Sequence, residues 1–156
     1  MNLHGGVHRL QHDFNQSFES VRVLAVLSPT CPNCLEGYEM LSRMPPGPKC
    51  LVLWTAMLAG DSAAVAAERS GHRCAHYWEE EDWPVSTRLR PILGFGPYIP
   101  EMSAWDLYLL YPPAIVWTNE YPPLPSDWSH NLREYAPQRP RITAALLAQW
   151  ASTATS

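Results

Sequence analysis

Two cysteines separated by two residues are the part of this sequence best suited to chemistry. Cys31 and Cys34 flank Pro32 and Asn33, and they stand between the apolar segment 20–27 and a stretch whose apolar spacing predicts a helix. A thiol at a helix N-terminus is stabilised as the thiolate by unpaired backbone N–H groups, so its pKa falls below the usual value of about 8.5. We therefore predict that Cys31 is a nucleophile in disulfide exchange and that Cys34 resolves the mixed disulfide.

The other two cysteines, Cys50 and Cys74, stand alone, each in an apolar stretch. A free cysteine in such surroundings behaves as a small hydrophobic residue. A zinc site of the four-cysteine kind needs a second closely spaced pair, and the sequence has none. We therefore expect Cys50 and Cys74 to be core residues, and we expect neither a resident metal nor a cofactor.

Length and charge exclude several classes of function. The 156 residues are enough for one domain, 1–156, and 46% of them are hydrophobic. The formal net charge is -4 with only 11 Lys and Arg residues, which leaves little to neutralise a nucleic-acid backbone. The apolar stretch 23–27 is far shorter than the roughly 18 to 20 residues of a membrane span, and residues 1–10 lack the apolar region of a signal peptide. These features predict a cytoplasmic protein without nucleic-acid or membrane partners.

The order of the predicted elements indicates an α/β fold. Early strands that alternate with helices pair in parallel, while the short link Pro112-Pro113 predicts an antiparallel hairpin of the last two strands. The sequence therefore predicts a mixed central sheet with helices on both faces, and Gly60 and Asp61 are expected to cap the helix that follows them. The predicted elements are helix 7–18, strand 20–27, a helix after Cys34, strand 49–57, helix 62–69, strand 73–78, helix 84–93, strands 104–111 and 114–117, a proline-rich loop 120–140 and a closing helix 141–151.

The strand, the C-P-N-C motif and the following helix together resemble the thioredoxin-like superfamily. The resemblance rests on VRVLAVLSPTCPNCLEGYEML, on the element order up to about residue 117 and on the closing helix. It implies a thiol-disulfide oxidoreductase that acts on protein or small-molecule thiols and disulfides. It also implies that the substrate contacts residues beside the cysteines, namely Thr30, Pro32, Asn33 and Trp105.

Two departures from the family pattern concern the proton of the second cysteine. The family's buried carboxylate, six residues ahead of the first cysteine, corresponds to Ala25, so Cys34 lacks that proton acceptor. The family's cis-proline before the penultimate strand corresponds to the stretch 103–106. We predict that Asp106 lies near the cysteine pair and handles its proton. The alternative is that Asp106 caps a turn at the start of the strand.

Two other functions fit the same sequence. Two thiolates at this spacing also bind Cu(I), Zn(II) or mercury, which would make the protein a soft-metal carrier. The aromatic and proline-rich segment 120–135 would instead suit a non-catalytic module that binds a protein partner. The sequence does not fix the redox direction, the substrate or the oligomeric state.

Overall fold

The structure, a computed structural model, describes residues 3–80, 82–94, 104–131 and 139–154. No helix in these ranges has the length and apolar character needed to cross a membrane. The elements up to β4 follow the predictions, with ends that differ by a few residues. In chain order they are α1 (Val7–Gln16), β1 (Arg22–Leu27), α2 (Pro32–Ser42), β2 (Lys49–Trp54), α3 (Ala63–Arg69), β3 (Ala75–Trp78), α4 (Ser86–Ile92), β4 (Leu107–Tyr111), β5 (Asp127–His130) and α5 (Ala144–Ser152).

The strands form one mixed sheet in the order β3-β2-β1-β4-β5. β1 is parallel to β2 and β2 to β3, whereas β4 is antiparallel to β1 and β5 to β4. The two parallel pairs are connected through α2 and α3, as crossovers between parallel strands require. The predicted α/β class with a mixed central sheet is confirmed, and this architecture is consistent with a thioredoxin-like fold.

The central strand β1 is buried on both faces, so the sheet carries a hydrophobic layer on each side. Its alternate residues Val23, Ala25 and Leu27 point into one layer, and Leu24 and Val26 point into the other. Helices α2, α3 and α5 cover the first face, and α1 and α4 cover the second, which confirms helices on both faces. The helix residues in these layers include Tyr38, Leu41, Ala66, Leu147 and Trp150 on the first side and Leu10, Phe14 and Leu89 on the second.

The predicted second strand of the hairpin, 114–117, is wrong. The strand that pairs with β4 is β5, Asp127–His130, which lies inside the segment 120–140 that was predicted to be a loop. Residues 132–138 of that segment lie outside the described residues. β4 and β5 are still antiparallel neighbours, but a long connection replaces the predicted tight turn.

The residues between β4 and β5 show why a tight hairpin does not form. Proline fixes φ near -65°, whereas a two-residue hairpin turn needs positive φ at one or both central positions, so Pro112 and Pro113 cannot form it. Ala114 then takes a left-handed φ of 74° and turns the chain towards α1. There the Asn15 side chain accepts a hydrogen bond from the Trp117 N–H at 2.8 Å and donates one to its carbonyl at 2.9 Å. The backbone of Trp117 is thus satisfied without a strand partner.

Cys50 and Cys74 are buried core residues, as predicted, but they do not stand alone. β2 and β3 pair Leu51 with Ala75, and this register puts the preceding residues, Cys50 and Cys74, opposite each other. Both side chains are buried, and the two thiols lie close enough to shift each other's pKa. Parallel pairing brings together two residues that are far apart in the sequence, which spacing along the chain could not predict.

Candidate active site

The structure places Cys31 at the start of α2. Its backbone is extended, Pro32 is the first helical residue, and the Cys31 Sγ accepts a hydrogen bond from the Cys34 N–H at 3.4 Å. The Cys34 thiol, and the backbone N–H groups of Cys34 and Asn33, lower the pKa of Cys31 to about 6, against the opposing effect of burial. At neutral pH Cys31 is therefore largely a thiolate, as predicted for a helix N-terminus.

Cys34 lies one turn along α2 and is fully buried. Its sulfur accepts a hydrogen bond from the Ser28 N–H at 3.4 Å, which ties it to the end of β1. Burial, the neighbouring Cys31 and the negative charge of Asp106 raise the pKa of Cys34 well above its usual value. Cys34 therefore remains a thiol and needs a proton acceptor before it can act as a nucleophile.

Asp106 lies next to both thiols. A carboxylate oxygen of Asp106 and the two sulfurs of Cys31 and Cys34 all lie within 4.8 Å of one another. The residue immediately precedes β4, which is the neighbour of β1, and its N–H donates to the Val26 carbonyl at 2.7 Å. The antiparallel pairing of these strands thus carries Asp106 to the edge of the sheet at which β1 ends and the cysteine motif begins.

The environment of Asp106 is unusual for a carboxylate. The side chain is fully buried, and neither oxygen has a hydrogen-bond partner of good geometry among the described residues. Burial and the negative charge of Cys31 raise the pKa of Asp106 from 3.8 to about 7, against smaller lowering effects that include those of Cys34 and the Asn131 backbone. Among the described residues, no backbone hydrogen bond of good geometry to this carboxylate supports the alternative that Asp106 caps a turn. A buried carboxyl with a pKa near 7 can accept a proton and release it again at neutral pH.

Asp61 holds the loop that leads into Cys31. Its carboxylate accepts hydrogen bonds from the Ser28 hydroxyl at 2.7 Å and from the N–H and hydroxyl of Thr30 at 3.1 and 2.5 Å. It also accepts from the N–H groups of Met57 and Leu58. Burial opposes ionisation, yet these bonds keep the pKa of Asp61 below its usual value. Sequence analysis assigned Asp61 only to a helix cap, because nothing in the local pattern relates it to the cysteine loop.

The Tyr108 side chain lies near the two thiols and packs against Gly37. The Tyr108 side chain is fully buried, and Asp106, Cys34 and Cys31 all add to the effect of burial in raising the pKa of its hydroxyl. A Cβ on Gly37 would lie 1.7 Å from that hydroxyl oxygen, so the glycine leaves the space that the tyrosine occupies. Neither residue is predicted from the sequence, because a glycine inside a helical pattern does not indicate which distant side chain packs against it.

The residues predicted to contact substrate have different positions. Pro32 is exposed beside Cys31, whereas Thr30, Asn33 and Trp105 are half-buried. Thr30 is bound to Asp61, and the Asn33 carbonyl accepts a hydrogen bond from the Asn131 side chain at 2.8 Å. Trp105 packs against the hydrophobic layers on both sides of the sheet. These four residues surround the motif, and Pro32 offers the most open surface among them.

The same three groups could hold a metal ion. Cys31, Cys34 and Asp106 supply two sulfur ligands and one oxygen ligand that lie close enough to share one ion. Zinc accepts this donor set with a fourth, open position, and the two sulfurs alone suit a softer ion.

Comparisons of the chain with protein-family models, with curated proteins and with solved structures each found no match. The geometry of the site is therefore the basis on which a function can be inferred.

Proposed function

We propose that the protein is a thioredoxin-like thiol-disulfide oxidoreductase with Cys31 as nucleophile and Cys34 as resolving thiol. The observation that carries the proposal is the cluster of Cys31, Cys34 and Asp106, in which a thiol at a helix N-terminus, a buried thiol and a buried carboxylate lie within 4.8 Å. The substrate is a disulfide of a protein or of a small molecule.

The first step uses the thiolate that is already present at neutral pH. Cys31 attacks one sulfur of the substrate disulfide, the substrate S–S bond breaks, and a mixed disulfide with Cys31 forms as one substrate thiolate leaves. The helix N-terminus favours the ionised form of Cys31 before the reaction. The Asp61 network keeps the loop ahead of Cys31 in one conformation.

The second step needs a proton acceptor for Cys34. Asp106 accepts the Cys34 proton, and the resulting thiolate attacks the Cys31 sulfur of the mixed disulfide. A disulfide between Cys31 and Cys34 forms, and the second substrate thiolate leaves. Two electrons pass from the protein to the substrate, and the reverse sequence oxidises a substrate dithiol. Burial, the largest cause of the raised pKa of Asp106, persists in the mixed disulfide, whereas the charge of Cys31 is lost there. The carboxyl therefore keeps a raised pKa and can take up the Cys34 proton and return it.

A redox titration of a Cys50→Ser/Cys74→Ser double variant tests the proposal, because it keeps only the Cys31/Cys34 pair. We expect a reversible disulfide at a defined ratio of glutathione to glutathione disulfide, found by thiol counting and by peptide mapping. The control adds Cys31→Ser and should form no internal disulfide.

If no disulfide between Cys31 and Cys34 forms at any ratio, the exchange proposal fails. A non-catalytic binding module would then be the better explanation of the fold.

Metal carriage is a second candidate because the same cluster offers three ligands. Equilibrium dialysis of the Cys50→Ser/Cys74→Ser variant against Zn(II) should then give one bound ion per chain. Asp106→Asn should weaken Zn(II) binding while leaving Cu(I) binding by Cys31 and Cys34, because a carboxylate ligand suits zinc and not Cu(I). Absence of bound metal under reducing conditions would rule out this candidate.

A further inference from the structure

A second pair of thiols lies at the other end of the sheet from Cys31 and Cys34. Cys50 is paired in register with Val23 near the start of β1, whereas Cys31 follows the last residue of that strand, Leu27. Four residues of strand span about 13 Å, so the two pairs are too far apart for direct exchange with each other. Any reaction at Cys50 and Cys74 is therefore separate from the proposed active site.

The backbone positions of Cys50 and Cys74 permit a disulfide. The register of β2 and β3 puts them opposite each other, and neighbouring strands lie about 4.8 Å apart. Disulfides join residues whose Cα atoms are roughly 4.4 to 6.8 Å apart. Cys74 lies just before the first residue of β3, Ala75, so its backbone can adjust without breaking the ladder. Both thiols are free and point into the same hydrophobic layer.

The thiols also border a cleft of about 670 Å³. Two cationic side chains, Lys49 and Arg73, and two histidines, His4 and His72, line it together with the single carboxylate of Asp13. Asp13 is already bound to the Arg9 side chain and the Tyr77 hydroxyl. The cleft therefore favours an anionic ligand.

Arg73 lines this cleft together with the two thiols. Its guanidinium donates to the carbonyl oxygens of Pro45 and Pro48 at 3.4 and 3.3 Å. The Cys74 thiol lowers the pKa of Cys50, burial opposes this, and the charge of Arg73 lowers it further. Contact with Cys50 and burial raise the pKa of Cys74. Ionisation of one thiol of the pair is thus favoured by the other thiol and by Arg73. A neighbouring cation also disfavours a bound metal ion here, because like charges repel.

We propose that Cys50 and Cys74 form a second dithiol-disulfide centre, which is oxidised by anionic low-molecular-weight disulfides that enter the cleft. The Cys50 thiolate attacks a disulfide RSSR, the RS–SR bond breaks, and a mixed disulfide of Cys50 forms as RS⁻ leaves. Cys74 gives up its proton to the departing RS⁻, attacks the Cys50 sulfur and expels a second RS⁻. The protein loses two electrons and the one proton of Cys74, and RSSR becomes one RSH and one RS⁻, which takes a proton from solvent.

A full-length Cys31→Ser/Cys34→Ser variant tests this proposal independently of the proposed function. Oxidised glutathione is the probe, because it is a small disulfide with net negative charge. We expect both remaining thiols to disappear together, with a mass lower by two hydrogens and a peptide that links Cys50 to Cys74. The matched control adds Cys50→Ser, which leaves one thiol and permits only a mixed disulfide.

Two results would overturn the centre itself. One is survival of both thiols at every glutathione ratio. The other is a stable glutathione adduct on one cysteine with no internal disulfide. If the serine variants do not fold, differential alkylation of the two cysteines in the wild-type chain gives the same measurement.

The charge preference has its own test. Oxidised glutathione should react roughly two to five times faster than cystamine, a cationic disulfide, which is the effect of about one surface charge contact. Arg73→Gln should remove this preference. Arg43→Gln should not, because Arg43 is exposed and bound to Glu39 outside the cleft. If oxidised glutathione and cystamine react at equal rates with the protein that retains Arg73, selection of anionic disulfides is refuted.

Discussion

Replacement of Asp106 by asparagine removes the negative charge of this side chain and keeps nearly the same shape. The wild-type carboxyl is fully buried and has a pKa of about 7, compared with 3.8 when it is unperturbed. At 1.36 kcal/mol per pH unit, this difference corresponds to about 4 kcal/mol at most. It is the cost of keeping the ionised carboxylate in the folded protein.

The sign of the pH dependence follows from proton binding. The folded state binds the Asp106 proton more tightly than the unfolded state, so the wild type loses stability as the pH rises from about 4 to about 7. Asp106→Asn has no such ionisation. We therefore expect the variant to gain stability relative to the wild type over this range, by up to about 4 kcal/mol above pH 8.

Urea denaturation of both reduced proteins at several pH values measures this gain. Cys31→Ser in both backgrounds is the control, because loss of the Cys31 charge should lower the pKa of Asp106 and move the pH dependence to lower pH. The same Asp106→Asn variant should slow resolution by about 10²-fold and accumulate the mixed disulfide at Cys31, because an amide cannot accept the Cys34 proton. A stability difference that does not change between about pH 4 and 8 would refute the buried-carboxylate argument.

Substitutions at four further positions test the packing and the hydrogen bonds described above. Gly37→Ala should cost about 1 to 3 kcal/mol in urea denaturation, because its Cβ would lie 1.7 Å from the Tyr108 hydroxyl. Tyr108→Phe alone should leave the stability unchanged or higher, because the hydroxyl has no hydrogen-bond partner among the described residues. Asp61→Asn should lower the pKa of the Cys31 thiol in an ultraviolet thiolate titration, because the charge of Asp61 raises it, and an unchanged or higher value would contradict this charge effect. This variant should be less stable than the wild type at neutral pH, and the difference should disappear as the pH falls through the lowered pKa of Asp61. Asn15→Ala should cost about 1 to 2 kcal/mol in thermal denaturation, because it removes both hydrogen bonds to the Trp117 backbone, and Asn15→Asp, which keeps one of them, should cost less.

Local sequence pattern was enough to predict the elements that position the first cysteine pair. The apolar run 20–27 and the proline at the first helical position correctly predict a buried strand that leads into α2. The prediction that Asp106 lies near the pair followed from the resemblance to the thioredoxin-like superfamily, in which the stretch before the penultimate strand faces the cysteines. These features depend on residues close together in the sequence or on the pairing of two strongly apolar strands.

The features that local pattern missed depend on distant contacts. β5 is short and polar, and Asp127 at its start is held by the side chains of Arg139 and Trp150. Cys50 and Cys74 become neighbours only through the register of two strands. The Asp61 carboxylate binds Ser28 and Thr30 in the loop before Cys31, although it is distant from them in the sequence. No periodicity within a single segment reports such contacts.

The backbone at Asp106 restricts which residue can stand there. Its φ of 59° lies in the left-handed region, which glycine, asparagine and aspartate adopt most readily and which proline cannot adopt. The proposed transfer of the Cys34 proton also needs a carboxylate at this position. Glutamate meets only the second requirement, and asparagine and glycine meet only the first. In a library randomised at position 106, selection for folding alone would recover all three left-handed residues, whereas selection for disulfide exchange would recover aspartate.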